Sequence, residues 1–402
     1  MTKDKKVEKK IRKEKKSSKF IEFFPINKNA EAALYYGFTP IKNIQITKED
    51  INKILPLKDS FSRNNDLSWI FSQTFAEERA SLLREYINKE MSSLSQPVML
   101  IHESTNIKER AKNTINLEII GTRKSIAEAL LIKTALSILK DNGYKDFSIE
   151  INTIGDKESI NKFSKELTTY LKKNLNSLSA HCRQNFKKDP FYVLSCEKCD
   201  CAKIKESSPT SISCLSDESR LHFKEVLEYI ETMEISYKIN NCLVPDRKYC
   251  FGTTYKIKDV SNDEILAVGF RNDGFAQKIG NKKDIPGAGI KIFLKKKAVI
   301  KKVSKLPKPT ASYIQLGDEA KHKSLDVIEI LKKEKVFIYH MLGRDKFGSQ
   351  FTLVEKTKVP YVIIMGKKES LENSVMVREN STRTQKTIPI KDLAEYIKDL
   401  AK

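Results

Sequence analysis

Residues 243–257 read LVPDRKYCFGTTYKI. Pro, Asp, Arg, Lys, Tyr and Cys fall within one short polar turn, a mixture that suits the mouth of an active site and equally a turn between strands. A second such stretch is GFRNDGF (269–275), where Arg271 and Asp273 flank an asparagine and precede a glycine. Asn-Asp-Gly is also a good hairpin turn in its own right. Glu118, in LEIIG, interrupts an apolar run, so an inward-facing carboxylate there needs a partner. A fourth stretch, HCRQNFKKDPFYVLSCEKCDC, gathers Cys182, Cys196, Cys199 and Cys201, and Cys214 follows. Cys-x-x-Cys is a zinc half-site with two more thiols in reach, so these four could hold a structural Zn²⁺. The alternative is a set of reduced, partly buried thiols.

These residues need a frame. Apolar positions in TRKSIAEALLIKTALSILKDNG (122–143) recur at helical spacing and stop at Asn-Gly. FSIEINTIG (147–155) alternates like a strand, and DKESINKFSKELTTYLKKNL follows as an amphipathic helix. SDESRLHFKEVLEYIETM (216–233) is another helix, with Ser216 as its N-cap. Strand-like runs then follow in ISYKI, CFGTTYKI and EILAVGF, which together imply an α+β domain built on an antiparallel sheet. From residue 311 strands and helices alternate as in a small α/β domain with a parallel or mixed sheet. The expected division is a basic disordered arm over 1–19, a main domain over 20–300 with a cysteine-containing insertion near 180–215, a linker over 301–310 and a C-terminal domain over 311–402.

The chain has 402 residues, with 74 Lys and Arg against 52 acids and a net charge of +22. Such an excess argues for a polyanionic partner, nucleic acid first. The arm alone holds ten Lys or Arg and three acids. No apolar run is long enough for a membrane span, and the N-terminus lacks the apolar stretch of a secretory signal. Seven cysteines, not spread as a disulfide framework, fit a reduced, cytoplasmic protein.

The order of the pieces resembles a class II aminoacyl-tRNA synthetase, specifically the histidyl-tRNA synthetase family. LEIIGTRKSIAEALLIKTALSILKDNGYKDFSIEINTIG (117–155), DPFYVLSCEK (189–198), SDESRLHFKEVLEYIETMEISYKINNCLV (216–244) and the tail from ASYIQLG carry the likeness. It implies a class II synthetase-like antiparallel sheet with flanking helices, an anticodon-binding-like C-terminal domain, and homodimers that use ATP, Mg²⁺, histidine and tRNA.

Residue by residue, the resemblance implies the following site. Pro245 stands where the family has its catalytic Arg, with Arg247 two positions on. Tyr249 keeps the first Tyr of that motif and Cys250 replaces the second. Arg271 and Asp273 remain from the family's Gly-Gly-Arg-Tyr-Asp-Gly, with Asn272 for Tyr. Glu118 matches the amino-group-binding Glu, and Glu77 the acid of a substrate-contacting segment whose Gly-Thr pair is here Glu78-Arg79. Arg110 and Lys296 are the cations nearest the two ATP motifs. Arg247 and Arg271 are thus the candidate catalytic residues, Glu77, Glu118, Tyr249 and Asp273 would bind substrate, and Arg110 and Lys296 would bind ATP. Two readings follow: a tRNA-binding protein on a synthetase scaffold with an eroded ATP and histidine site, or a divergent but active histidine–tRNA ligase.

Overall fold

The computed structural model describes residues 21–57, 73–105, 112–196, 201–245, 250–295, 301–344 and 346–400. The basic arm over 1–19 lies outside them.

The main domain opens with β1 (Ile26–Asn27), α1 (Ala32–Tyr35) and β2 (Thr39–Pro40). Helix α2 (Lys48–Ile54) starts at a capping box, in which Thr47 accepts from the Asp50 amide and Asp50 accepts from the Thr47 amide at 2.8 Å. Asp50 is fully buried, and it also accepts from Ser81 and Arg84 of α3 (Gln73–Asn88) at 2.9 and 3.0 Å. One carboxylate thereby satisfies a helix start and ties α3 to it.

Strands β3 (Val98–Thr105) and β4 (Lys112–Ile120) pair antiparallel and lead into α4 (Ile126–Asp141). That helix is buried along nearly its whole length, so its side chains are apolar almost all round. The expected start at residue 122 falls four residues early because the 122 and 124 carbonyls bond Arg271 instead. Strand β5 (Phe147–Thr153) precedes α5 (Lys157–Lys173), capped by Asp156, whose Oδ1 accepts from the Ser159 amide at 2.8 Å. The insertion adds short helices α6 (Ala180–Phe186), α7 (Phe191–Ser195) and α8 (Ala202–Glu206) around their own apolar cluster. Helix α9 (Asp217–Thr232) begins at Ser216, which caps the Ser219 amide as expected.

Strands β6 (Tyr237–Ile239), β7 (Phe251–Asp259) and β8 (Ile265–Arg271), the single turn α10 (Phe275–Lys278), and β9 (Gly287–Lys295) complete the body. Among the described residues eight strands form one sheet, in the order β2-β3-β4-β9-β8-β7-β5-β6. All pairs are antiparallel except β2–β3 and β5–β6. Strand β10 (Lys302–Val303) pairs with β1, so the stretch expected as a linker over 301–310 is pinned to the body at its start.

The C-terminal unit runs β11 (Ala311–Gln315), α11 (Asp318–Lys333), β12 (Ile338–His340), α12 (Phe347–Thr357), β13 (Tyr361–Met365), α13 (Lys367–Leu371), β14 (Ser374–Glu379), β15 (Gln385–Pro389) and α14 (Leu393–Leu400). Its sheet is mixed: β12-β11-β13 are parallel, and β14 and β15 continue antiparallel. Helix α11 seats it on the body. Lys133 meets Asp326 at 3.3 Å, Lys332 meets Asp141 at 2.8 Å, Tyr229 stacks on His322 at 4.1 Å, and Tyr36 donates to Glu329. The apolar cores of the two units are continuous. No helix among the described residues is long and apolar enough to cross a membrane.

Candidate functional site

Side chains alternate along each strand, so the register assigns the two faces of the large sheet. One row runs Ile101, Leu117, Ile290, Gly269, Tyr255 and Ile151. It packs with α4 and α9 in the main core. Gly269 is required there, because a Cβ would sit 2.3 Å from the Tyr255 ring that lies across it. The opposite face carries His102, Asn116, Lys291, Val268, Lys256 and Glu150 in one row, and Leu100, Glu118, Gly289, Phe270, Thr254 and Asn152 in the next. Part of this polar face lies under α3, whose Ala76, Ala80 and Leu83 pack on Val268, Phe270 and Phe293.

Placing α3 there brings Glu78 and Arg79 onto the sheet. Arg79 is 3% exposed, and its Nη1 donates to Glu118 Oε2 at 2.6 Å while its Nη2 donates to Asn272 Oδ1 at 2.9 Å. Beside them Lys291 pairs with Glu78. Glycine at 289 lets the Glu118 carboxylate lie flat on β9, since a Cβ there would come within 2.6 Å of it. Burial pushes the Glu118 carboxyl up to about 7 in spite of the Arg79 charge. Arg79 itself is pushed down by burial, against the fields of Glu118 and two aspartates. Its Nε and the Asn272 amide nitrogen have no partner among the described residues. His102 is buried next in the row, 3.5 Å from the Asn116 amide, and burial together with Lys291 holds its imidazole down at about 4.

Arg271 does not join this set. It was expected in one pocket with Glu118, but alternation along β8 sends Phe270 to the Glu118 face and Arg271 to the α4 face. There its Nε and Nη2 fork onto Glu128 at 2.7 and 2.5 Å, Nη1 reaches the Thr122 carbonyl and Asp273, and Nη2 reaches the Lys124 carbonyl. All five guanidinium donors are therefore engaged. Glu128 has no exposed surface and also takes His222 Nε2 at 2.8 Å. Burial alone would raise its pKa, but Arg271 and His222 hold it down at about 2. Asp273 bonds Arg271 and accepts from the Gly287 amide at 2.9 Å, and burial raises its pKa against the Arg271 charge. Glu77 is buried on α3, with its carbonyl accepting from Ser81 at 2.9 Å.

Of the other expected residues, Arg110, Arg247, Tyr249 and Lys296 lie outside the described residues. So does Cys199. Cys182, Cys196 and Cys201 are buried in the apolar cluster of the insertion. Among the described residues no group of three or more His, Cys, Asp or Glu side chains is arranged to hold a metal. Among the described residues, Arg79 and Lys291 of the polar face are both paired with carboxylates. They already neutralise Glu118 and Glu78, so a phosphate would have to displace an internal carboxylate.

Sequence reasoning saw that Glu78-Arg79 replaced a small pair but did not join Arg79 to Glu118. It missed Glu128, His222, His102 and Lys291. Glu128 carried a signal, being a lone acid inside the apolar run IAEALLI.

The profile of one family, described as an anticodon binding domain, matches residues 309–400. Two curated relatives are histidine–tRNA ligases. That of Halothermothrix orenii is 27% identical over 340 residues, covering 81% of each chain. That of Vesicomyosocius okutanii is 27% identical over 329 residues, covering 79% of this chain and 77% of the relative. Among solved structures, apo histidyl-tRNA synthetase of S. aureus aligns over 92% of this chain and 93% of its own, at 17% identity and a TM-score of 0.49.

Proposed function

Because the chain belongs to the histidyl-tRNA synthetase family of class II, we propose that it is a tRNA-binding protein whose ATP and histidine site is eroded, with weak or absent aminoacylation. The observation that carries this reading is Arg79 on Glu118. By resemblance, Glu118 is the carboxylate that would take the ammonium of histidine, and in this chain a guanidinium of the same protein already neutralises it. The neighbouring Glu78–Lys291 pair engages the next cation of the face. Pro245, buried where the family has its catalytic Arg, can donate no hydrogen bond to a developing phosphate charge. Losing one fixed donor of that kind typically costs about 10²–10³ in rate.

Binding of tRNA is supported by the anticodon-binding domain over 309–400 and by the net charge of +22. Phosphate contacts would supply much of the affinity, so a gel shift with tRNA should weaken steeply as salt is raised. The C-terminal unit is the reader in this account, and a homodimer is the assembly expected of the family. The second reading, an active divergent ligase, rests on Arg247, Arg110 and Lys296 acting as substitute cations. Histidine-dependent ATP–pyrophosphate exchange separates the two. We expect exchange near background, whereas turnover in the ordinary range of about 1 s⁻¹ or above would establish the second reading.

A further inference from the structure

A cleft of about 820 Å³ opens beside Arg271, and neither Glu118, Arg79 nor Lys291 lines it. Three helices contribute to its lining. Helix α5 contributes Lys157 and Asn161, α9 contributes Glu218 and His222, and α10 contributes Gln277 and Lys278. We propose that this cleft is a second ligand site, separate from the Glu118 face, that takes a small zwitterion: a free amino acid or a short peptide.

The site is built around His222. Its Nε2 lies 2.8 Å from Glu128, and that carboxylate is fully buried and forked by Arg271. An ionised carboxylate can only accept, so His222 Nε2 carries the proton of that bond. The bond fixes the ring where it lines the cleft and leaves Nδ1 as its other polar atom. A histidine fixed this way by a buried carboxylate and an arginine is pre-organised to meet a polar group of a ligand.

Charge narrows the class of ligand. Among the described residues the lining holds as many carboxylates as cations, in a chain whose net charge is +22. A polyanion therefore gains no net field here, unlike over the surface as a whole. Most of the lining charges are engaged internally. Asp284 pairs with Arg123, Asp273 with Arg271, and Asp156 accepts from Ser159 and Ser216. Lys157 and Glu218, on separate walls and both exposed, make no ion pair among the described residues. They leave one unneutralised cation for a carboxylate and one unneutralised carboxylate for an ammonium. The volume is in the range of small-molecule sites and exceeds the needs of one small amino acid.

Titration calorimetry of the full chain tests this, with the common L-amino acids free and as glycyl dipeptides. At least one probe should bind, and its N-acetylated form should not. Lys157→Ala and Glu218→Gln, both surface changes, should each weaken that probe about tenfold while leaving the melting curve unchanged. Tighter binding of the free amino acid than of its dipeptide, or the reverse, identifies the source. The proposal is overturned if no probe binds at millimolar concentration, or if neither variant weakens it. It is also overturned if Glu118→Gln abolishes binding instead, which would locate the ligand on the other face.

Discussion

The large sheet buries two arginine–glutamate pairs, one on each face, and they titrate in opposite directions. Arg271 and Glu128 lie on the α4 side with every guanidinium N–H accepted, and Glu128 is held at about 2. Arg79, on α3, reaches down to Glu118 on the sheet; its Nε and the neighbouring Asn272 amide nitrogen lack described partners, and Glu118 is raised to about 7. Both carboxylates are buried and both touch an arginine, so burial and charge alone do not separate them. What differs is the supporting shell. Glu128 receives a bidentate fork plus a histidine, whereas Glu118 receives one Nη1–H. A fully satisfied network is part of the framework; an incompletely satisfied one has the character of a site closed from inside.

The largest effect that tests the contrast is Glu128→Gln. It leaves buried Arg271 with only Asp273, at 3.3 Å, as a counter-charge and should cost about 3–5 kcal/mol in urea unfolding. A cost below about 1 kcal/mol would make the two pairs equivalent. Next is acid. A carboxyl whose folded pKa lies near 2 against the usual 4.5 contributes stability that is present above 4.5 and lost as pH falls toward 2. At about 1.4 kcal/mol per unit, that limb should amount to roughly 3 kcal/mol, and it should vanish in Glu128→Gln.

Much of this arrangement could be read from the chain. The alternation in FSIEINTIG, the Ser216 cap and the mixed C-terminal sheet follow from local periodicity and capping. The face on which a residue points did not follow, because Glu118 and Arg271 lie in different strands and their relation depends on the register through β9. Likewise, a helix such as α3 with charges at 77, 78 and 79 shows only a polar surface until its seat on the sheet is known. The partner that Glu118 was expected to need is real, but it arrives from 39 residues away.

Replacing both members of each pair by methionine sharpens the comparison further. The Arg79→Met, Glu118→Met double variant should fall between no change and a gain of about 2 kcal/mol, since few other groups depend on that pair. The Arg271→Met, Glu128→Met double variant should lose stability, because the Thr122 and Lys124 carbonyls and His222 are left without their partners. A last test is a pH slope of the opposite sign and of similar size to that of Glu128. Glu118 is raised above 4.5, so its contribution is present below 4.5 and is lost as pH rises through about 7. Urea midpoints of the native chain relative to Glu118→Gln should therefore decline over that interval.

The central claim is that Arg79 occupies the place a substrate ammonium would take on Glu118. Histidine binding measured by calorimetry tests it most directly, on the native chain and on a Glu78→Gly, Arg79→Thr variant that restores the family's small pair. We predict that the native chain binds histidine weakly at this face and that the variant binds it at least about tenfold more tightly, with the gain abolished by Glu118→Gln. Equal, Glu118-dependent affinity in the native chain and the variant would contradict it.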